Sequence, residues 1–211
     1  PQYGCLNLHG SLLPKYRGAA PIQYALINNE KETGMTLMEM IDKMDAGRMY
    51  AKKVVEIAPE DNSTSLFKKM GLTARDLILE SLPQYIDGEL VGEAQDEGLV
   101  TFAPTIKVEQ EKLDLSLDAK KIFGWIRALS DKPGAYFLLD GEKLKVYKAE
   151  LVNIPFKGQI GEIIEADKGG LVVQLNEGQL SLLELQREGK KRMDYRSFLN
   201  GNQKIFGKIL E

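Results

Sequence analysis

Apolar and polar residues alternate strictly over Leu6-Asn7-Leu8-His9, the period of a strand with its two faces in different surroundings. A stretch rich in glycine, proline and basic side chains runs from Gly10 to Ala20. Pro21 then suits the first position of a helix reaching to about Asn29, because its missing N–H costs nothing there. Residues 34–40 predict a second strand and 49–57 a third, with a tight segment from Asp42 to Gly47 between them. The order strand, helix, strand predicts an α/β core with a crossover connection.

A long helix is expected from Asn62-Ser63, whose side chains can cap the free N–H groups of a first turn. Leu66, Met70, Leu77, Ile78 and Leu82 keep near-helical spacing and define its expected buried face. The pattern fades over 88–112 into an acidic stretch, the expected linker between domains. Then the period changes. A helix over about 118–129 precedes five short strands at 135–139, 143–152, 158–166, 171–175 and 179–185, punctuated by Asp140-Gly141, Lys168-Gly169-Gly170 and Glu177-Gly178. Short strands about ten residues apart predict a small closed, OB-like β-barrel. The expected organisation is an α/β domain over 1–87, a linker over 88–112 and the β-barrel over 113–211.

Composition narrows this picture only a little. The 211 residues are 43% hydrophobic and 28% charged, the balance of a globular protein. No apolar run is long enough to span a bilayer, so no membrane partner is expected. Cys5 is the single cysteine, which excludes an internal disulfide and suits a reducing cytoplasm. Its apolar setting predicts a buried thiol. Asn62-Ser63-Thr64 matches a glycosylation sequon but is read as a helix start. Because the chain opens on Pro1, almost on the first strand, a preceding segment is expected. Net charge is −3, poor for a protein built mainly to hold nucleic acid. Residues 113–211, however, carry 16 basic against 14 acidic side chains, including Lys190-Lys191-Arg192, a mild sign of an anionic partner.

Asn7 and His9 lie two apart on a strand, so their side chains leave the same face and Leu6 and Leu8 take the other. His9 is the only histidine, so any imidazole chemistry belongs to it. Alone, such a histidine is more often structural. The residues that continue from it change the balance: His9-Gly10-Ser11-Leu12-Leu13-Pro14-Lys15-Tyr16-Arg17-Gly18, with Asp45-Ala46-Gly47 further on. Here the chain resembles the folate-dependent formyltransferases, in their Asn-x-His strand, their Ser-Leu-Leu-Pro loop and their Asp-Ala/Thr-Gly triplet. A match of this length and order is far more specific than a short motif.

The resemblance implies the C-terminal half of a Rossmann-like formyltransferase domain, followed by the OB-like domain, with the first half of that fold lying upstream. It implies Asn7, His9 and Asp45 as catalytic residues, and Ser11, Leu12, Leu13 and Pro14 as the segment that contacts 10-formyltetrahydrofolate. A rigid amide can stabilise the charge that develops on a formyl oxygen. An imidazole can donate to it or move a proton, and a nearby carboxylate favours the charged ring. No metal is required, and one histidine without a cysteine cluster makes a poor metal site. Residues 40–45 resemble the family's pterin-lining loop, and Lys15 and Arg17 are candidates to face an anionic group.

The acceptor implied most closely, through Gly18-Ala19-Ala20-Pro21-Ile22-Gln23, is the amino group of initiator methionyl-tRNA, in a protein expected to be monomeric. Formyl transfer to an amino sugar nucleotide, and a catalytically inactive nucleic-acid binding fragment, are the alternatives. The second half departs from the family where Asp114-Leu115-Ser116 and Ser130-Asp131-Lys132-Pro133 stand in place of tryptophan-bearing motifs.

Overall fold

The computed structural model describes residues 3–155, 157–202 and 204–211. Contacts divide the chain into two units, one of Pro1–Leu26 with Glu30–Ile106 and one of Ile27–Asn29 with Lys107–Glu211.

In the first unit β1 (Leu6–His9) leads through α1 (Pro21–Ile27) to β2 (Glu32–Glu39) and β3 (Met49–Glu56). The sheet order is β1-β2-β3, and both ladders are antiparallel, with His9 opposite Thr36 and Leu6 opposite Glu39. The expected crossover is therefore absent among the described residues of this unit, since a crossover joins parallel strands. The reason is local. The Thr36 hydroxyl donates to the Ser11 carbonyl at 2.7 Å and accepts from the Leu13 amide at 3.2 Å. The loop is thereby pinned at the His9 end of β1, and the chain enters β2 from that same end. Leu13 fills a core pocket with Met38 and Met49.

A long helix, α2 (Ser63–Ile86), follows. Asn62 caps it by accepting from the Ser65 amide at 3.0 Å, while the Ser65 hydroxyl accepts from the Asn62 amide at 3.1 Å. Two of the unpaired N–H groups of the helix start are satisfied this way. Leu66, Met70 and Leu77 are buried as expected, but Leu82 is 39% exposed and Ser81 is buried instead. One residue is a 100° turn of the helix, so a single step in phase trades one side chain for the other. Cys5 is exposed rather than buried. It lies just ahead of β1, before the sheet can cover it.

The acidic stretch after α2 divides near Ile106, and its first part clusters with this unit. Glu93 and Met49 exchange two backbone hydrogen bonds, and Arg17 exchanges backbone bonds with Thr101 and Ala103.

The second unit contains α3 (Ala119–Leu129), capped by Asp118 through the Lys121 amide at 2.7 Å. Strands β4 (Ala135–Leu139), β5 (Glu142–Val152), β6 (Ile163–Ala166), β7 (Leu171–Leu175) and β8 (Gly178–Arg187) follow. The strands expected at 135–139 and 171–175 are found at those bounds. The one expected at 158–166 begins only at Ile163, because Gly161 turns the chain at φ 84°. Asp140 and Gly141 both have positive φ, 54° and 78°, as a two-residue hairpin requires. The sheet order is β4-β5-β8-β7-β6, antiparallel throughout. Its path is open, so the ladders among the described residues do not close the expected barrel. A two-residue strand, β9 (Met193–Asp194), adds to β8 and leads into α4 (Tyr195–Asn200). Ile122 and Ile126 of α3 are buried, as are Phe137, Val146 and Leu182 of the sheet.

Candidate active site

His9 ends β1 with its side chain almost wholly buried. Its Nε2 lies 2.9 Å from the Tyr16 carbonyl oxygen, which can only accept, so Nε2 carries the hydrogen. On the other side of the ring, Nδ1 stands 3.5 Å from Oδ1 of Asp45. The second oxygen of Asp45 accepts from the Gly18 amide at 2.8 Å. The carboxylate therefore bridges the imidazole and the loop that follows β1. Asn7, two residues earlier, leaves the same face of β1 and is half-buried. The three expected catalytic residues thus comprise one strand face and one carboxylate that reaches it.

Two glycines make that approach possible. A Cβ on Gly47 would fall 2.0 Å from the Glu39 carbonyl oxygen, and one on Gly18, at φ 121°, would fall 2.7 Å from that of Ala103. Neither position admits a side chain without backbone movement. Asp45 itself sits at φ 49°, a region in which Asp and Asn are enriched.

The four residues expected to contact a folate divide by exposure. Ser11 and Leu13 are buried, and the Ser11 hydroxyl donates to the Lys15 carbonyl at 2.6 Å. Leu12 and Pro14 remain half-exposed. The Lys52 ammonium donates to the Leu13 carbonyl at 2.6 Å and anchors the loop from β3. Beside Asp45, Met40, Ile41 and Met44 present exposed apolar surface. Among the described residues no group of three or more His, Cys, Asp or Glu is gathered where it could hold a metal ion.

Arg17, a candidate to face an anionic ligand, is only 1% exposed. A buried guanidinium without a partner costs several kcal/mol, and this one is paired within the protein. Its Nε and one terminal nitrogen donate to Oε1 of Gln95 at 3.0 and 2.8 Å, and it pairs with Glu97 at 2.8 Å. The Arg17 hydrogen bond, and after it that of Lys43, holds the Glu97 carboxyl down at about 2. Gln95 turns its Nε2 the other way, donating to the carbonyls of Asp45 at 2.7 Å and Gly47 at 2.9 Å. The sequence alone does not single out Thr36, Lys52, Gln95 or Thr101. Their work is to bond backbone carbonyls and amides across distant parts of the chain, which leaves no local pattern to read.

Two family models match in order along the chain, "Formyl transferase" over residues 1–82 and "Formyl transferase, C-terminal domain" over 105–203. Among curated relatives, the methionyl-tRNA formyltransferase of Lactobacillus johnsonii is 47% identical over 201 residues, covering 95% of this chain and 64% of that protein. The methionyl-tRNA formyltransferase of Lactococcus lactis is 48% identical over 202 residues, covering 95% and 63%. The chain thus spans a little under two thirds of the length of the curated relatives it matches. Among solved structures, the N-formyltransferase from Helicobacter canadensis, in complex with folinic acid and dTDP-3-aminofucose, superposes with a TM-score of 0.69. It does so at 20% identity over 86% of this chain and 65% of that one. With both halves matched in sequence order and nearly half of all residues shared with these relatives, the chain belongs to the formyl transferase family.

Proposed function

We propose that the protein transfers a formyl group from 10-formyltetrahydrofolate to the amino group of initiator methionyl-tRNA. The observation that carries this reading is the Asp45 carboxylate 3.5 Å from the sole imidazole, His9, on the strand face that also bears Asn7. The acceptor follows from the relatives that share nearly half of the sequence. The donor follows from the family and from the apolar loop formed by Met40, Ile41 and Met44, which suits a flat heteroaromatic ring beside a polar centre.

The carrier supplies an activated formyl carbon. Asn7 donates a neutral hydrogen bond to the formyl oxygen as negative charge gathers there. His9, bonded to Tyr16 through Nε2, faces Asp45 through Nδ1, so the ring holds that carboxylate in place and can exchange a proton with it. Asp45 accepts the proton that the attacking amine must lose. One carbon–nitrogen bond forms to the amine and one breaks at the carrier, whose nitrogen takes up the proton. Ser11 and Leu13 act by fixing the loop, and Leu12 and Pro14 face the carrier. On this reading the first unit is the C-terminal half of a Rossmann-like domain. The second is an OB-like module that meets the tRNA through exposed basic side chains such as Lys190 and Lys191, in a monomeric cytoplasmic enzyme.

The test is formylation of charged initiator tRNA beside an amino sugar nucleotide and a ribonucleotide amine, with the full-length protein. Transfer to the tRNA alone supports the reading. Preferential transfer to either small acceptor replaces it, and transfer to none removes it.

A further inference from the structure

Gln95 lies between the two ranges matched by the family models, in a stretch whose composition resembles a linker. Its amide nevertheless joins the two loops that build the candidate site. The oxygen side accepts two N–H groups from the buried Arg17, and the nitrogen side donates to the carbonyls of Asp45 and Gly47. Arg offers only donors, and a peptide carbonyl offers only an acceptor. A side chain joining them must therefore accept on one side and donate twice on the other, which a primary amide does and a carboxylate does not. The same orientation satisfies all four hydrogen bonds, so it is the one the network selects.

We infer that Gln95 is a positioning residue that sets the distance between the Asp45 carboxylate and His9. It holds the carbonyls on both sides of Ala46 against a guanidinium that is itself fixed. Gln95 touches no reacting atom. Arg17 is anchored by backbone bonds from its own amide to the Thr101 carbonyl at 2.9 Å and from the Ala103 amide to its carbonyl at 2.7 Å. Gln95 therefore ties the 42–47 loop to a residue whose backbone is bonded on both sides. Without it, the Asp45 carbonyl loses its donor, and among the bonds described the left-handed Asp45 is held by its carboxylate alone, through the Gly18 amide and the imidazole. A misplacement of about 1 Å at such a site costs on the order of 100-fold in rate. The kinetic part of this inference rests on the formyl-transfer reading above; the geometric part does not.

The experiment compares Gln95→Glu and Gln95→Leu in the full-length protein. Gln95→Glu keeps an acceptor for Arg17, so the buried cation stays paired while two carbonyls lose their donor and meet a carboxylate. Gln95→Leu removes both halves, and if it fails to fold, Gln95→Glu alone decides. Two readouts are taken. The imidazole 15N resonances are assigned to His9 by their loss in a His9→Asn protein. Steady-state kinetics then separate kcat from KM. We expect the imidazole resonances of Gln95→Glu to move, with kcat falling about 10-fold to 100-fold and the KM for the formyl donor changing less than about threefold. Unmoved resonances overturn the inference, whatever the rate does. An unchanged kcat beside moved resonances also overturns it. If the unsubstituted protein formylates no acceptor, the reading of its function fails and the resonances alone decide the role of Gln95.

Discussion

Asp45 faces His9 across 3.5 Å from a backbone held in the left-handed region at φ 49°. Both oxygens of the carboxylate are thereby engaged, one by the imidazole and one by the Gly18 amide. Asn is the informative replacement. It tolerates the same φ and keeps an acceptor for Gly18, but it carries no charge and accepts no proton. Asp45→Asn is expected to leave the melting temperature within a few degrees. It should lower the rate of formyl transfer by about 100-fold to 10,000-fold, the usual range for removing a positioned proton acceptor. A rate within twofold of the unsubstituted protein would take Asp45 out of the chemistry.

Gly47 is a stricter constraint, because the obstacle is backbone. A methyl group there would overlap the Glu39 carbonyl oxygen at 2.0 Å, and Glu39 is the last residue of β2, bonded through its own amide to the Arg48 carbonyl. Neither side can rotate away. Gly47→Ala is expected to destabilise the protein by about 1–3 kcal/mol, the usual range for overpacking. It should displace the 42–47 loop, and with it Asp45. Urea denaturation measures the first effect and the His9 imidazole resonances the second. An unchanged urea midpoint would mean that the loop shifts more freely than its hydrogen bonds imply.

How far such residues can be read from sequence depends on the range of the interaction. Asn7 and His9 declare a shared face through two-residue alternation, and Asp45 is legible because it falls inside a motif that stays together along the chain. Strand direction is not legible. Period two is identical in parallel and antiparallel ladders, and only the pinning of Ser11 and Leu13 by Thr36 turns the chain back beside β1. The second unit shows the same limit. Turn residues near 140, 169 and 178 mark where strands end, yet the pairing of β5 with β8 and the open path depend on contacts between remote segments. Gln95 is the least visible, since its four hydrogen bonds reach across 48 to 78 positions of sequence.

Gly71 gives a prediction of the opposite sign. It sits inside α2, and a Cβ added there meets nothing within 4 Å. Glycine in a helix interior is less favourable than alanine, through the entropy lost on ordering it, by about 0.5–1 kcal/mol. Gly71→Ala is therefore expected to stabilise the protein by that amount in urea titrations, with activity unchanged. A loss of stability would show that this part of the helix packs against something a Cβ disturbs.

The last prediction concerns acid. Glu97 is held at about 2 against an ordinary value of 4.5, through Arg17 first and Lys43 second. A carboxyl lowered on folding binds fewer protons in the folded state than in the unfolded one between those two values. Its contribution is thus complete above about 4.5 and is lost as the pH falls through about 2. What is lost is one charged partner of a buried guanidinium, so the effect should register at Arg17. We expect the Arg17 Nε resonance to shift and the Ala103 amide to exchange faster across this window. The Glu97 side chain is 61% exposed, so salt should screen the pair and shrink the change at about 1 M. Glu97→Gln should flatten the pH dependence while leaving the bonds from Arg17 to Gln95 in place. If Glu97→Gln shows the same acid profile as the unsubstituted protein, the titrating group lies elsewhere, and Gln95 alone suffices to hold Arg17.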